Sequence, residues 1–208
     1  MQEEEWVLGS DEAGYGAYAG PLVVAAVCVR RAWRPTVKVG DSKKLTAAER
    51  EASFTGLLQD AQVVFSVVSV LPEAIDQQGL YRALLGAHTE AQANCFIAAG
   101  KPESVERIVD GVIPIDLARS LPKADQLIPA CSAASIIAKV THDREMVRLD
   151  PLHPGYGFAQ HKGYGTRAHE DALDRLGVSS IHRKSFDPVA RVIARAQAAW
   201  MKTKLPDE

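Results

Sequence analysis

Residues 9–21 read GSDEAGYGAYAGP and separate a short apolar stretch from a longer one, LVVAAV at 22–27. The pattern predicts two strands joined by a glycine-rich turn. Two adjacent carboxylates, Asp11 and Glu12, therefore lie where the first strand ends, and the glycines beside them let a ligand approach the backbone closely. Because carboxylates bind hard divalent cations, the segment predicts a metal site that handles a phosphate backbone. A hairpin with two solvated acids explains the dipeptide alone equally well.

The composition is that of one water-soluble globular unit. With 208 residues the chain is long enough for one hydrophobic core and short for two. Its apolar fraction of 47% and charged fraction of 24% are ordinary for this class. No apolar run approaches the ~20 residues of a membrane helix, and the acidic residues 1–5 do not fit a secretory signal. We therefore expect a cytoplasmic protein without a membrane partner.

The three cysteines, Cys28, Cys95 and Cys131, are odd in number and widely spaced. This arrangement fits neither a zinc site nor a disulfide framework. Each lies in an apolar context, so we expect small buried hydrophobic side chains. Free thiols also fit a reducing compartment.

The charge is distributed unevenly along the chain. The net charge is -2, so a global basic signature of nucleic-acid binding is absent. Residues 139–195, however, carry ten Lys and Arg against seven Asp and Glu, with five of the six histidines. A basic half that holds phosphates and an acidic site that holds metal would divide the work of a nuclease, although a solvated face explains such a run equally simply.

Local patterns predict a mixed order of strands and helices. The clearest is TAAE at 46–49, a capping box that begins a helix. Gly79 and Gly86 weaken the helical stretch that starts at Pro72, so a kink or break is expected there. The order indicates one α/β domain over residues 1–208, with a helical C-terminal part over about 150–208. The predicted strands cover 6–12, 21–30, 62–71 and 105–110; the predicted helices begin at Thr46 and cover 72–99, 132–149 (capped by Ser132), 166–176 and 188–202; and 112–131 and 150–166 are predicted to be irregular.

Four acids occupy strand ends or helix entries: Asp11, Glu12, Asp110 and Asp125. Such positions converge at one edge of a sheet, and clustered carboxylates need a counter-ion. Oxygen-only ligation favours Mg²⁺ or Mn²⁺ over zinc. Because side chains alternate along a strand, Asp11 is the better direct ligand, and Glu12 joins only if the strand bends or if its carbonyl takes part. Taken singly, Asp110 reads as a turn residue before glycine and Asp125 as a loop acid beside Lys123.

Seven segments in order now resemble the type 2 ribonucleases H, specifically bacterial ribonuclease HII. The resemblance implies a ribonuclease H-like fold, with a mixed central sheet flanked by helices and a C-terminal helical region. It also implies cleavage of the RNA strand of RNA/DNA hybrids and incision 5′ of ribonucleotides embedded in duplex DNA, leaving 5′-phosphate and 3′-hydroxyl ends. The segments are DEAGYGAYAGPLVVAAV (11–27), DSKKLT (41–46), IVDG (108–111), KAD (123–125), SAASIIAKVTHDREM (132–146), YGFAQHKGYGT (156–166) and HRKSFDPV (182–189).

The resemblance also implies roles for individual residues. The metal-binding and catalytic carboxylates of the family fall on the same four acids, where two metal ions would activate a water and stabilise the leaving 3′-oxygen. The family's junction tyrosine, which packs on a deoxyribose, falls on Tyr164, and Lys43 and Lys44 look like phosphate contacts. Ser135 and Lys139 share a helix face and are secondary candidates for the site. His142 and His161 are expected to be structural or to face phosphates.

The chain departs from the family pattern at Tyr15, where the family usually has an arginine between two glycines. Gly14 and Gly16 are present, so the backbone can still approach the ribonucleotide. Tyr15 cannot supply a guanidinium that grips a phosphate, so we expect weaker junction recognition with metal binding and hybrid cleavage intact. His142 is a second, milder departure, because arginine is common there.

Three readings of the function follow. The first is an RNA/DNA-hybrid endoribonuclease that also excises embedded ribonucleotides, with hybrid and ribonucleotide-containing duplexes as partners. The second is a hybrid-only nuclease whose junction recognition has changed at Tyr15, and the third is a hybrid-binding protein without cleavage. The tail KTKLPDE at 202–208 lacks a glutamine-plus-aromatic motif for a sliding clamp, and a monomer is expected.

Overall fold

The fold is built on a five-stranded sheet that a computed structural model describes for residues 5–40, 42 and 44–204. The strand order is β3-β2-β1-β4-β5. A short 3-10 turn covers Asp150–Leu152, and no described helix combines the length and apolar character needed to cross a bilayer. The strands are β1 (Trp6–Ala13), β2 (Leu22–Arg30), β3 (Val64–Val70), β4 (Val105–Asp110) and β5 (Arg119–Leu121), and the helices are α1 (Ala47–Gln59), α2 (Pro72–Gln78), α3 (Leu80–Ala98), α4 (Ala124–Leu127), α5 (Pro129–Leu149), α6 (Phe158–His161), α7 (Arg167–Leu176) and α8 (Asp187–Lys204).

The sheet is mixed, and its central strand is β1. The first three strands form antiparallel pairs, whereas β4 pairs with β1 in parallel and β5 pairs with β4 in parallel. In the β1–β4 register Ser10 lies opposite Val109. The next residues along the two strands are Asp11 and Asp110, so parallel pairing brings both acids to the same edge of the sheet.

Alternation along the strands divides the core between two faces. Odd-numbered residues of β2, such as Val23 and Val27, pack with α1 and α5, while even-numbered ones, such as Val24 and Ala26, pack with α3. At Gly9 an added Cβ would lie 2.5 Å from the Cys131 nitrogen, so glycine lets α5 lie directly against β1. This close approach brings the N-terminal half of α5 beside the strand that carries Asp11.

Several sequence predictions are confirmed by the fold. The mixed sheet with flanking helices and a helical C-terminal region is present. Thr46 accepts from the Glu49 amide and Glu49 accepts from the Thr46 amide, which is the predicted capping box of α1. The helical stretch after Pro72 breaks at Gly79, whereas Gly86 lies inside α3 without a break. All three cysteines are free and buried.

The region before α5 departs from the prediction. Residues 112–131 are not wholly irregular, because β5 and α4 lie within them; both elements are too short to show a periodic pattern. The helix α5 begins at Pro129, a residue suited to a first turn, so Ser132 is not its cap. The Ser132 hydroxyl donates instead to the carbonyl oxygens of Asp125 and Ile128. The predicted 150–166 loop likewise contains α6.

Candidate active site

Three acids from three elements meet at one edge of the sheet. Asp11 comes from β1, Asp110 ends β4 and Asp125 lies in α4. Each offers a carboxylate oxygen, and these three oxygens lie within 4.8 Å of one another. An all-oxygen set of this size suits a hard divalent cation.

Local backbone contacts hold this cluster in place. The Asp110 carboxylate accepts a hydrogen bond of 2.6 Å from the Ala124 amide, which ties β4 to the start of α4. Lys123, just before α4, has a φ of 62°, in the left-handed region, so the chain turns sharply there. The Ser132 hydroxyl then holds the Asp125 carbonyl at 2.6 Å. Asp125 is thereby carried on a short helix fixed from both sides.

Asp11 is the most buried of the three acids, with 7% of its surface exposed. Burial, together with the charges of Glu12 and Asp110, raises its pKa to about 8, although hydrogen bonds from Ser135 and from the Glu12 amide act in the opposite direction. At neutral pH the cluster therefore resists holding all its negative charge alone. A bound cation would reverse this preference, because it favours the ionised carboxylates.

Glu12 faces a different neighbourhood. One of its carboxylate oxygens lies 3.2 Å from His88 Nε2, and His88 Nδ1 lies 2.9 Å from the Ser10 hydroxyl. Gln92 donates to that hydroxyl at 3.0 Å. The Glu12 side chain thus joins a network from α3, as strand alternation requires, and lies outside the three-acid cluster. Whether it binds metal, by carboxylate or carbonyl, stays a prediction.

The acids line a cleft of about 410 Å³ together with most other predicted site residues. Lys43 falls outside the described residues, and Lys44 is exposed but does not line the cleft. Ser42, which the sequence did not single out, does line it, and its hydroxyl is hydrogen-bonded to that of Ser135, with the oxygens 2.9 Å apart. The cleft residues are Asp11, Glu12, Ala13, Gly14, Tyr15, Gly16, Ser42, Asp110, Asp125, Ser135, Lys139 and Tyr164.

The glycine loop, residues 14–20, forms a second wall of the cleft through Gly14, Tyr15 and Gly16. The Gly14 amide donates to the Tyr164 hydroxyl at 3.0 Å. Gly14 has a φ of 81°, and a Cβ there would lie 2.5 Å from a ring carbon of His142, so only glycine fits. Tyr15 is 42% exposed beside it. The loop and the tyrosine from the C-terminal half are thus one unit.

Two side chains of α5 support Tyr164. Lys139 forms an ion pair of 2.7 Å with Asp143, and its ammonium lies 5.2 Å from the centre of the Tyr164 ring. His142 is fully buried, contacts Asp143 at 3.3 Å and lies under Gly14 and Tyr164, where burial lowers its pKa. This places His142 in a structural role, one of the two that the sequence allowed.

Histidines also hold the segment that carries Tyr164. His161 Nε2 donates to the Tyr156 carbonyl at 2.8 Å, so this histidine is structural. His169 and His182 share a hydrogen bond of 3.0 Å between their Nε2 atoms, and His169 Nδ1 donates to the Tyr164 carbonyl at 3.0 Å. Burial lowers the pKa of His169 to about 4 and that of His182 to about 3, so both are neutral at physiological pH.

Besides Ser42, sequence reasoning missed four residues that support the site, namely His88, His169, His182 and Arg183. The Arg183 side chain donates to the carbonyls of Tyr15 and Gly20. His182 and Arg183 lie in the HRKSFDPV segment, but Arg183 contacts loop residues more than 150 positions away, and His182 is hydrogen-bonded to His169 and Ser179. His88 lies on α3 with no motif around it. Only the three-dimensional structure reveals these pairings.

A second groove of about 600 Å³ adjoins the cleft. It shares Lys139 and Tyr164 with the cleft and extends between α1, α5 and α6. Its cationic residues include Arg50, Arg144 and Lys162, opposed by Glu51 and Asp143. Basic residues beside an acidic centre fit a surface along which a phosphate backbone lies.

The comparisons with known proteins agree with one another. The Ribonuclease HII family model matches residues 8–189. A ribonuclease HII of Laribacter hongkongensis is 43% identical over 198 residues, which cover 93% of this chain and 96% of that protein. The crystal structure of ribonuclease H2 from Pyrococcus horikoshii is similar with a TM-score of 0.67 at 25% identity, covering 92% of this chain and 99% of that one.

A further similar structure is that of ribonuclease HII from Archaeoglobus fulgidus in complex with PCNA, with a TM-score of 0.68 at 28% identity. It covers 89% of this chain and 96% of the archaeal one. The family model spans nearly the whole chain, and the bacterial relative shares more than two fifths of its residues. The chain belongs to the ribonuclease HII family and is an endoribonuclease that acts on RNA/DNA hybrids.

Proposed function

We propose that this enzyme cuts the RNA strand of RNA/DNA hybrids and also incises 5′ of single ribonucleotides in duplex DNA, leaving 5′-phosphate and 3′-hydroxyl ends. The main support for this proposal is that Asp11, Asp110 and Asp125 converge in one cleft, which the glycine loop and Tyr164 also line. Such a cleft can hold a reacting phosphate on one side and a sugar on the other. The catalytic unit we propose is a single domain over residues 1–208.

The acid cluster would hold Mg²⁺ or Mn²⁺. Its donors are all oxygens, and the raised pKa of Asp11 indicates that a cation is needed before all three acids are ionised. When bound, two such ions supply an activated water and stabilisation of the departing 3′-oxygen. In this proposal Asp11, Asp110 and Asp125 would hold the ions, and Glu12 would contribute by side chain or carbonyl.

The glycine loop and Tyr164 would recognise the sugar. The 2′-hydroxyl is the group by which a protein distinguishes RNA from DNA. Gly14 and Gly16 would bring backbone close to that position, and the half-buried Tyr164 ring would pack on the next deoxyribose while its hydroxyl anchors Gly14. Lys139 and the adjoining basic groove would hold phosphates. We propose the same role for Lys43 and Lys44 in the preceding loop.

Tyr15 favours a second candidate, a nuclease that prefers long hybrids. The side chain lines the cleft and is 42% exposed, yet it carries no cation for a junction phosphate. A silent hybrid-binding protein is disfavoured, because a protein that only binds gains nothing from three carboxylates gathered where a phosphate backbone would lie.

The test is cleavage of two labelled duplexes in Mg²⁺ and then in Mn²⁺. One is a uniform RNA/DNA hybrid, and the other is DNA with a single ribonucleotide. The proposal predicts cleavage of the hybrid and incision 5′ of the lone ribonucleotide, both lost in Asp11→Asn. The matched control is Asp171→Asn, a change of the same chemistry at an exposed residue of α7. Cutting of the hybrid alone would favour the second candidate, and cutting of neither would overturn the proposal.

Partners and location complete the proposal. The archaeal relative was solved with PCNA. Residues 202–208 of this chain lack the glutamine-plus-aromatic motif that docks on a sliding clamp, and residues 205–208 lie outside the described part. We propose a cytoplasmic monomer that binds nucleic acid, and sedimentation of the enzyme alone and with a sliding clamp would test the monomer and show whether a clamp binds.

A further inference from the structure

Arg183 is a fully buried arginine wedged behind the glycine loop. It lies between α7 and α8, far along the chain from the loop that it contacts. Its guanidinium donates from Nη1 to the Tyr15 carbonyl at 2.8 Å and from Nε to the Gly20 carbonyl at 3.1 Å. Its own amide donates to the Tyr18 carbonyl at 2.8 Å. One residue thus holds the loop at both ends and in the middle.

The Arg183 charge has no close acidic partner among the described residues. The carboxylate that acts on it electrostatically is Asp76, but the Asp76 oxygens already accept from the Lys184 and Ser185 amides at 2.8 and 2.9 Å. Arg183 Nη2 is buried without a hydrogen-bond partner, and burial lowers the pKa of Arg183 to about 10. A buried guanidinium without an ion pair is destabilising, which indicates a role other than stability.

The geometry of the loop indicates that role. In a trans peptide the carbonyl and the following N–H point in opposite directions, and the described chain contains no cis peptide bond. Because Arg183 draws the Tyr15 carbonyl inward, the Gly16 N–H points away from the interior. Gly16 lines the cleft, and nothing lies within 4 Å of the position that a Cβ would take there. The Gly16 N–H thus lies on the side of the peptide away from Arg183, in a residue that lines the cleft.

We propose that Arg183 is a positioning residue that sets the Tyr15–Gly16 peptide, so that the Gly16 N–H is presented to an acceptor oxygen of the ribonucleotide. This rests on the proposed function. Tyr164 fixes the Gly14 end of the same turn, so the two residues from the C-terminal half align successive parts of the loop. A lysine cannot replace Arg183, because one ammonium lacks the separated donors that bridge two carbonyls.

The test compares Arg183→Lys and Arg183→Met with the wild type on the two duplexes. Arg183→Met removes the desolvated charge and keeps the volume, so this variant is expected to fold. We expect the ratio of kcat/KM for the single ribonucleotide to that for the uniform hybrid to fall roughly tenfold in both variants, mainly through KM, since one backbone hydrogen bond to the ribonucleotide is misaligned. Melting temperatures measured on the same samples separate this change from loss of folding.

The matched control is Arg175→Lys, because Arg175 also donates to a backbone carbonyl, that of Gly155 at 3.0 Å, but does not touch the loop. A wild-type ratio in both Arg183 variants would overturn the inference. Hydrogen exchange of residues 14–20 gives a readout without activity. Faster exchange there in Arg183→Met than in Arg175→Lys supports positioning, and equal exchange contradicts it. If the wild type cuts neither duplex, the proposed function fails, and the exchange result still decides whether Arg183 orders the loop.

Discussion

The two walls of the cleft are built in opposite ways. The acid wall, which consists of Asp11, Asp110 and Asp125, is positioned by parallel strand pairing and a short helix. Its side chains are all carboxylates, so their negative charges repel one another. The loop wall, residues 14–20 with Tyr164, rests on contacts between segments about 150 residues apart, and its supports are neutral histidines and one buried arginine. Charge is thus concentrated where the chemistry is proposed, whereas shape and hydrogen bonding are concentrated where the sugar would be recognised.

The comparison also explains how the chain tolerates Tyr15. On the acid wall a changed residue alters a ligand set. On the loop wall the backbone carries the contacts, and the Tyr15 carbonyl is held by Arg183 whatever the side chain is. The side chain at position 15 can therefore vary while the loop keeps its conformation.

The largest effect is expected on the acid wall. Asp11→Asn should lower cleavage of both duplexes by more than about a hundredfold, because loss of an outer partner of a metal ligand already costs 10–100-fold. The same variant should melt higher than the wild type in EDTA, since it no longer buries an acid whose pKa is raised to about 8 by burial and by neighbouring charges, and Mg²⁺ should raise its melting temperature less than that of the wild type. Equal cleavage in Asp11→Asn would contradict the assignment of this wall to chemistry.

A change on the loop wall should instead alter selectivity. Tyr15→Arg supplies a guanidinium beside the cleft, and one charge-assisted contact is worth about 1.5–3 kcal/mol. We expect kcat/KM on the single ribonucleotide to rise by roughly tenfold or more and on the long hybrid much less. Steady-state kinetics on both substrates check this, and an equal rise on both would remove junction recognition from the account.

A smaller effect is expected from Tyr164→Phe. The variant keeps the ring that would pack on the sugar and deletes the hydroxyl that accepts from Gly14. A single hydrogen bond contributes about 0.5–1.5 kcal/mol, so kcat/KM on the single ribonucleotide should fall a few-fold. Tyr164→Ala should cost more, and equal losses in the two variants would show that the ring contributes nothing.

The neutral histidines give the loop wall an acid sensitivity. The pKa values of His169 and His182 fall from 6.5 to about 4 and about 3 on folding. The unfolded chain therefore binds protons first, and stability should fall as pH decreases from about 6.5 toward 3. Because the raised pKa of Asp11 acts in the opposite direction, the measurement is made in Asp11→Asn, by denaturant unfolding between pH 7.5 and pH 5. Constant stability across that range would contradict a neutral cluster.

What the sequence predicted depends on the distance over which each feature is determined. The capping box of α1 and the break at Gly79 are local, and both are present. The meeting of Asp11 and Asp110 follows from strand ends, which periodicity marks. The strand β5 was missed because three residues show no period, and Ser132 was misassigned as a cap because Pro129 starts the helix three residues earlier.

The supports of the loop wall lay beyond sequence reasoning. Arg183 and Tyr15 are 168 residues apart in the chain, and no spacing rule connects them. His88 pairs with Glu12 across 76 residues from a helix without a motif. Side-chain alternation alone placed Glu12 on the far side from Asp11. The partner of the Glu12 carboxylate, His88, became visible only in the packed structure.

A measurement of binding without cleavage tests most directly whether the acid wall does the chemistry and the loop wall recognises the ribonucleotide. Asp11→Asn is titrated in Mg²⁺ with duplex DNA that contains one ribonucleotide and with the same duplex made entirely of DNA. The account predicts tighter binding of the ribonucleotide duplex, because the loop wall is unchanged in this variant. Equal affinity for the two duplexes would contradict it, since recognition would then depend on the acids.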